Sequence, residues 1–398
     1  MKSVKSPNKI VLALLVVAFV IVPYFFRDRA ARPGATKNTI TELTTYRDAH
    51  KESPEELALS HFRNNQIIFM AEPGKYHEPS AFITSLIPLM GENEISTAAV
   101  SFLNYVDQEE IDRLVTGESF DEELAAQLLF NNMVMNGYAE YRDFIYAVWK
   151  ENKENPGIKP LRLLALSPEI DWTVVQKNGD TENPDIIRQV YAAGVPDTFM
   201  ANILQKEVIE KGDKALVYGG LQNSLSGVTV ESYEEKMTAY GFPDDIKRTA
   251  RLIKELPHVN SCTLLIHGPW TVDSSRYGID YPLGGALDGF MEEYEGEEQF
   301  MGLFTGSTPY GKLQSAPGSF GSEGNYLLSD ICDGYILLGP MADYTPFTAL
   351  PQFINESNYE EACEKFPGPK EVMPRNREEY NNFIAGNAAQ VSQVLEKF

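Results

Sequence analysis

From residue 53 onward the chain alternates short, almost wholly apolar runs with longer stretches whose apolar residues recur every three or four positions. A strand buried on both faces needs the first pattern, and a helix with one covered face gives the second. Strands are predicted at 66–70, 95–103, 161–167, 214–220 and 262–268, with two later ones in 299–306 and 334–340. Helices are predicted at 80–90, 107–132 (with a loop inside), 138–152, 244–256 and from 377 onward. A further helical stretch at 184–211 is interrupted near Gly194-Val195-Pro196. Ser53 before Pro54, with Glu56 three residues on, forms a capping-box start for the first helix of this series. The class is α/β, with a mostly parallel central sheet and helices on both faces. No repeat and no composition break divides 53–398, which reads as a single domain.

The N-terminus has a different pattern. Lys2, Lys5 and Lys9 precede an uncharged run from Ile10 to Phe26, and Arg27, Arg29 and Arg32 follow it. At about 1.5 Å per residue such a run just spans a bilayer. Residues 1–27 are therefore expected to be a membrane-spanning anchor or uncleaved signal, and polar residues 28–52 a linker. That arrangement puts the bulk of the chain outside the cytoplasm.

Charge and cysteine content narrow the field. The formal net charge of −23 repels phosphate backbones, which excludes nucleic acid as an expected partner. Cys262, Cys332 and Cys363 are odd in number and far apart, so neither a disulfide framework nor a zinc-ribbon spacing is present. The chain also lacks the G-x-S-x-G elbow of a serine hydrolase and the G-x-x-x-x-G-K-[ST] phosphate loop.

In parallel sheets ligands bind beyond the carboxyl ends of the strands. Glu72, His77 and Glu78 follow the first predicted strand; Glu169, Asp171 and Trp172 follow the third. Gln222 and Asn223 follow the fourth, and His267 and Trp270 the fifth. The expectation is that Glu72, His77, Asp171 and His267 meet in one cleft. Carboxylate and imidazole there suit a divalent ion that activates water, with Glu72 and His77 as ligands.

Several stretches together resemble the superfamily of erythromycin esterase-like proteins, ChaN haem-uptake lipoproteins and TraB/Tiki proteases. "IIFMAEPGKYHEPSAFITSLIPLM" is similar to its opening strand, acidic-histidine turn and helix, with Ala71 where glycine is usual. "RLLALSPEIDW" resembles its middle strand and acidic turn, carried by Asp171 and Trp172. "DTFMANILQKEVIEKGDKALVYGGLQNS" resembles the helix and strand that follow, with Asp197, Met200 and Ala201 matching. Gln222 and Asn223 stand where the superfamily has a histidine.

Two readings follow. In one, the resemblance implies a membrane-anchored hydrolase, metal-assisted, with Glu72, His77 and His267 catalytic and Asp171, Trp172, Asp197, Gln222 and Asn223 binding a small-molecule or peptide substrate. In the other, the lost histidine leaves a degenerate domain that binds haem or another small molecule, since an amide is a poor base and a weak ligand.

Overall fold

The computed structural model describes residues 36–156, 159–178, 183–228, 231–243, 246–273, 278–316, 319–321 and 324–395. Among these, seven strands form one sheet in the order β3-β2-β4-β1-β5-β9-β8. They are β1 Ile67–Glu72, β2 Thr97–Asn104, β3 Arg162–Ser167, β4 Ala215–Gly220, β5 Ser261–Ile266, β8 Phe300–Phe304 and β9 Gly334–Leu338. β6 Trp270–Asp273 and β7 Gly278–Asp280 pair separately as an antiparallel ribbon. In the main sheet only the edge strand β8 runs antiparallel. The α/β expectation is met, with helices on both faces.

All six residues of β1 are buried, which is why its sequence is a continuous apolar run instead of an alternation. Ile68 and Met70 face a core built with the helices His77–Ser85, Ile87–Glu92 and Ala139–Glu154. On the opposite face, Ile67 and Phe69 meet the helix Pro196–Leu204, while Ala71 joins Leu265 and the helix Ala286–Met291. The capping box at Ser53 is present: its hydroxyl accepts from Glu56 N at 3.1 Å, and Glu56 accepts from Ser53 N at 2.9 Å.

Some boundaries differ from the sequence reading. The helix predicted at 80–90 begins earlier, at His77, and divides at Leu86, because Pro88 has no N–H to continue the first helix's bonding ladder. Within 28–52, residues Lys37–Ala49 form a helix instead of a polar linker. Its Leu43 is buried, and Arg47 stacks 4.1 Å above the Tyr294 ring. Those two contacts supply what a polar composition hides. The expected membrane-spanning run at 10–26 lies outside the described residues; among those described, no helix is long and apolar enough to cross a membrane.

Candidate functional site

Glu72 is the last residue of the central strand. Strand alternation turns it to the same face as Ile68 and Met70, beneath helix Ala139–Glu154. The Tyr218 hydroxyl, from neighbouring β4, lies 2.9 Å from both Glu72 Oε1 and Ser80 Oγ. Tyr141 also hydrogen-bonds the Glu72 carboxyl. Burial pushes the Glu72 pKa up to about 8, against the opposing pull of the Tyr218 bond and of the Lys75 charge. Lys75, three residues on, is driven down to about 8 by the same loss of water, with the Glu72 charge opposing the fall. Its ammonium donates to the Tyr138 hydroxyl at 3.2 Å and sits 4.3 Å above that ring. A carboxyl and an amine each moved toward about 8, within electrostatic reach of one another at a strand end, suit acid–base chemistry.

A strap covers this cluster. Phe347 N donates to Lys75 O at 3.0 Å, and Ala139 N to Thr348 O and Leu350 N to Gly137 O, each at 2.8 Å. Two carboxylates latch it. Glu78 accepts from Thr345 N and Oγ1 at 2.9 and 2.8 Å; Glu140 accepts from Thr348 N at 3.0 and 3.1 Å. Phe347 packs its ring against Tyr138 and Tyr141.

His77 follows Glu72 closely but turns outward. Its ring is 53% exposed and meets Glu140 through Nδ1 at 3.1 Å. The expected Glu72–His77 metal pair therefore lacks a built site. Among the described residues no group of three or more His, Cys, Asp and Glu side chains is set to hold a metal ion. The Lys75 ammonium supplies positive charge that acts on Glu72. These residues do not fit a divalent metal.

His267 does not join them. It follows β5 in phase with Leu265, and so points to the opposite face of the sheet from Glu72. There it is fully buried, with Nδ1 2.9 Å from the Tyr335 hydroxyl and Nε2 3.2 Å from Asp288 Oδ1. Gly268 is required beside it: a Cβ at that position would stand 2.4 Å from the Pro73 ring of the β1 turn. The single cleft expected for Glu72, His77, Asp171 and His267 is corrected to separate clusters along one rim, because adjacent residues of a strand serve opposite faces.

Asp197, Gln222 and Asn223 are brought together, as an internal brace. The Asp197 carboxylate accepts from Asn223 Nδ2 at 2.9 Å, Tyr233 Oη at 2.8 Å, Arg248 Nη1 at 3.1 Å, and Thr249 N and Oγ1 at 2.8 and 2.7 Å. Arg248 Nη2 also donates to Gln222 Oε1 at 2.7 Å. The carboxylate's acceptor capacity is filled.

Asp171 and Trp172 line a cavity of about 330 Å³ beyond β2 and β3. One Asp171 oxygen caps the next helix, accepting from Thr173 N at 3.1 Å and Oγ1 at 2.6 Å. The Trp172 indole N–H is closed from solvent with no partner, an arrangement that costs about 1–3 kcal/mol.

Sequence reasoning missed Lys75, Tyr141, Tyr218 and Glu140. Lys75 was legible as a charge in the same turn as Glu72. Tyr218 is the one polar tip inside an apolar strand run. The remaining two come from a helix some seventy residues away, so no local signal marks them.

No protein-family model matches the chain, and no curated protein matches it. Three solved structures share parts of the layout. A Bacillus cereus protein is 11% identical, with 75% of this chain and 96% of that one covered at a TM-score of 0.38. The haem-binding ChaN of Campylobacter jejuni is 11% identical over 52% of this chain and 84% of its own, at 0.33. The type III effector HopBA1 is 13% identical over 43% and 75%, at 0.31. Scores of this size assign no role to any residue here.

Proposed function

We propose that the cluster around Glu72 is an acid–base site of a membrane-anchored hydrolase, working without a bound metal. The observation that carries this reading is the pairing of Glu72 and Lys75, each moved to about 8 by burial, at the carboxyl end of the central strand. A neutral Glu72 carboxyl gives a proton to a leaving oxygen, and the same group ionised takes one from water. Tyr218 and Tyr141 both bond the carboxyl and hold it in place, and Lys75 favours the ionised form once the proton has left. The substrate class consistent with a carboxyl donor and no metal is an ester, lactone or amide. His77 holds Glu140 and through it the strap, and so acts as a positioning residue.

The test is hydrolysis of a panel of esters, lactones and peptides by the purified chain and by Glu72→Gln. Turnover of one class, lost by at least about a hundredfold in the variant with folding intact, is expected from removal of a general acid–base group. Turnover unchanged in the variant defeats the proposal. The anchor at 1–27 has its own check: the chain should stay in the membrane pellet after an alkaline wash, and release by the wash removes that element.

A second reading, binding without turnover, is favoured by the burial of Glu72 and by the engagement of Gln222 and Asn223 in the Asp197 brace. Stoichiometric ligand capture with no product, equal in wild type and Glu72→Gln, distinguishes it.

A further inference from the structure

The cavity beyond β2 and β3 lies apart from Glu72, three strands along the sheet. Its wall is prebuilt. Asn131 and Asn132 line it, but their amides are committed to one another's neighbours: Asn131 Nδ2 donates to Asp107, and Asn131 Oδ1 accepts from Gln127. Asn132 Nδ2 donates to Asn104, and Asn132 Oδ1 accepts from Asn136. This ladder stiffens the pocket and leaves its free polarity elsewhere.

The uncommitted groups are few. Trp172 lines the cavity with its indole, whose N–H is closed from solvent. Glu169 is exposed at the rim, and Asp171 has a second oxygen beyond the one that caps Thr173. Lys365 reaches the same rim but is already paired with Glu361 at 2.7 Å. Ile170, Val190 and Ala193 supply an apolar side. An anion is disfavoured by the carboxylates, and a purely apolar ligand leaves the free acceptors unmet. A neutral ligand with C–H faces and a rim of hydroxyls meets both demands: the indole takes the apolar face and the hydroxyls donate to the carboxylates. The volume is at the small end of ligand pockets, enough for one or two sugar rings.

We propose that this cavity is a saccharide-binding site, formed by Trp172, Glu169 and Asp171 against the amide-braced wall after β2. It is independent of the Glu72 chemistry, so the two stand or fall separately.

The experiment titrates the full-length chain with glucose, N-acetylglucosamine, maltose and cellobiose, following tryptophan emission and heat of binding. The chain has three tryptophans, so the Trp172 signal is resolved by difference against Trp172→Phe. At least one neutral sugar is expected to give a saturable change. Trp172→Ala should weaken it by about tenfold or more, and Glu169→Gln, at an exposed side chain that leaves the fold untouched, by about threefold or more. Glu72→Gln should bind as the wild type does. Absence of saturable binding for all four sugars overturns the proposal. So does binding that Glu169→Gln and Trp172→Phe both leave unchanged, an outcome that stays readable even if Trp172→Ala fails to fold.

Discussion

Asp197 and Glu72 are both carboxylates buried at the carboxyl end of the same sheet, and they are treated in opposite ways. Asp197 receives five hydrogen bonds, one of them from an arginine that is itself buried. Glu72 receives tyrosine hydroxyls, faces a lysine that has itself lost most of its water, and has its pKa pushed up to about 8. The lesson is that burial alone does not mark a working group. A buried carboxylate with every lone pair occupied holds parts together, whereas one with incomplete compensation keeps a proton to trade.

The largest effect that sharpens this contrast is on stability. Asp197→Ala leaves the Arg248 guanidinium buried without its carboxylate and should cost about 3–5 kcal/mol in urea denaturation. Glu72→Gln keeps a group that accepts from Tyr218 and should stay within about 1 kcal/mol near pH 4.5, where the folded wild-type carboxyl is itself neutral. Equal losses at the two sites break the comparison.

Next is the pH profile. Between 4.5 and about 8 folded Glu72 holds a proton that the unfolded chain has released. Its contribution to stability is therefore fully present below 4.5 and is lost as pH rises to about 8, by up to about 1.4 kcal/mol per unit. Lys75, depressed to about 8, acts in the opposite direction only above that point. Denaturation at pH 5, 6.5 and 8 should show a flatter slope for Glu72→Gln than for the wild type; parallel slopes mean that Glu72 is ionised throughout.

A smaller effect tests the roof. Glu140→Ala removes the acceptor of Thr348 N and should cost about 1.5–3 kcal/mol, with faster amide exchange at Ala139, Thr348 and Leu350. The smallest is His77→Ala, expected at under about 1 kcal/mol because the ring is half exposed. A loss as large as that from Glu140→Ala gives His77 a larger part in the latch than its single contact implies.

Much of the architecture was readable in advance because buried parallel strands announce themselves as apolar runs and the helices between them as periodic stretches. Glu72 stood out as a carboxylate closing such a run. The grouping of Asp197 with Gln222 and Asn223 followed from matching stretches, although their joint role as a brace did not. The orientation of His267 was harder. Alternation along β5 gives its phase relative to Leu265, but only the pairing with β1 relates that phase to Glu72. Lys37–Ala49 reads as a linker because it is polar along most of its length, and Leu43, Tyr46 and the stacked Arg47 tie it to the core. Glu78 stands out only as a polar residue after the first strand, and nothing local marks Glu140; their role as latches depends on a segment more than two hundred residues downstream.

That distance has a consequence for biogenesis. Glu72 emerges early from the ribosome, while residues 345–350, which latch the turn and the helix starts around it, arrive near the end of synthesis. The nascent chain therefore carries that turn unlatched for most of its translation, and the latch closes among the most sequence-distant contacts of the fold.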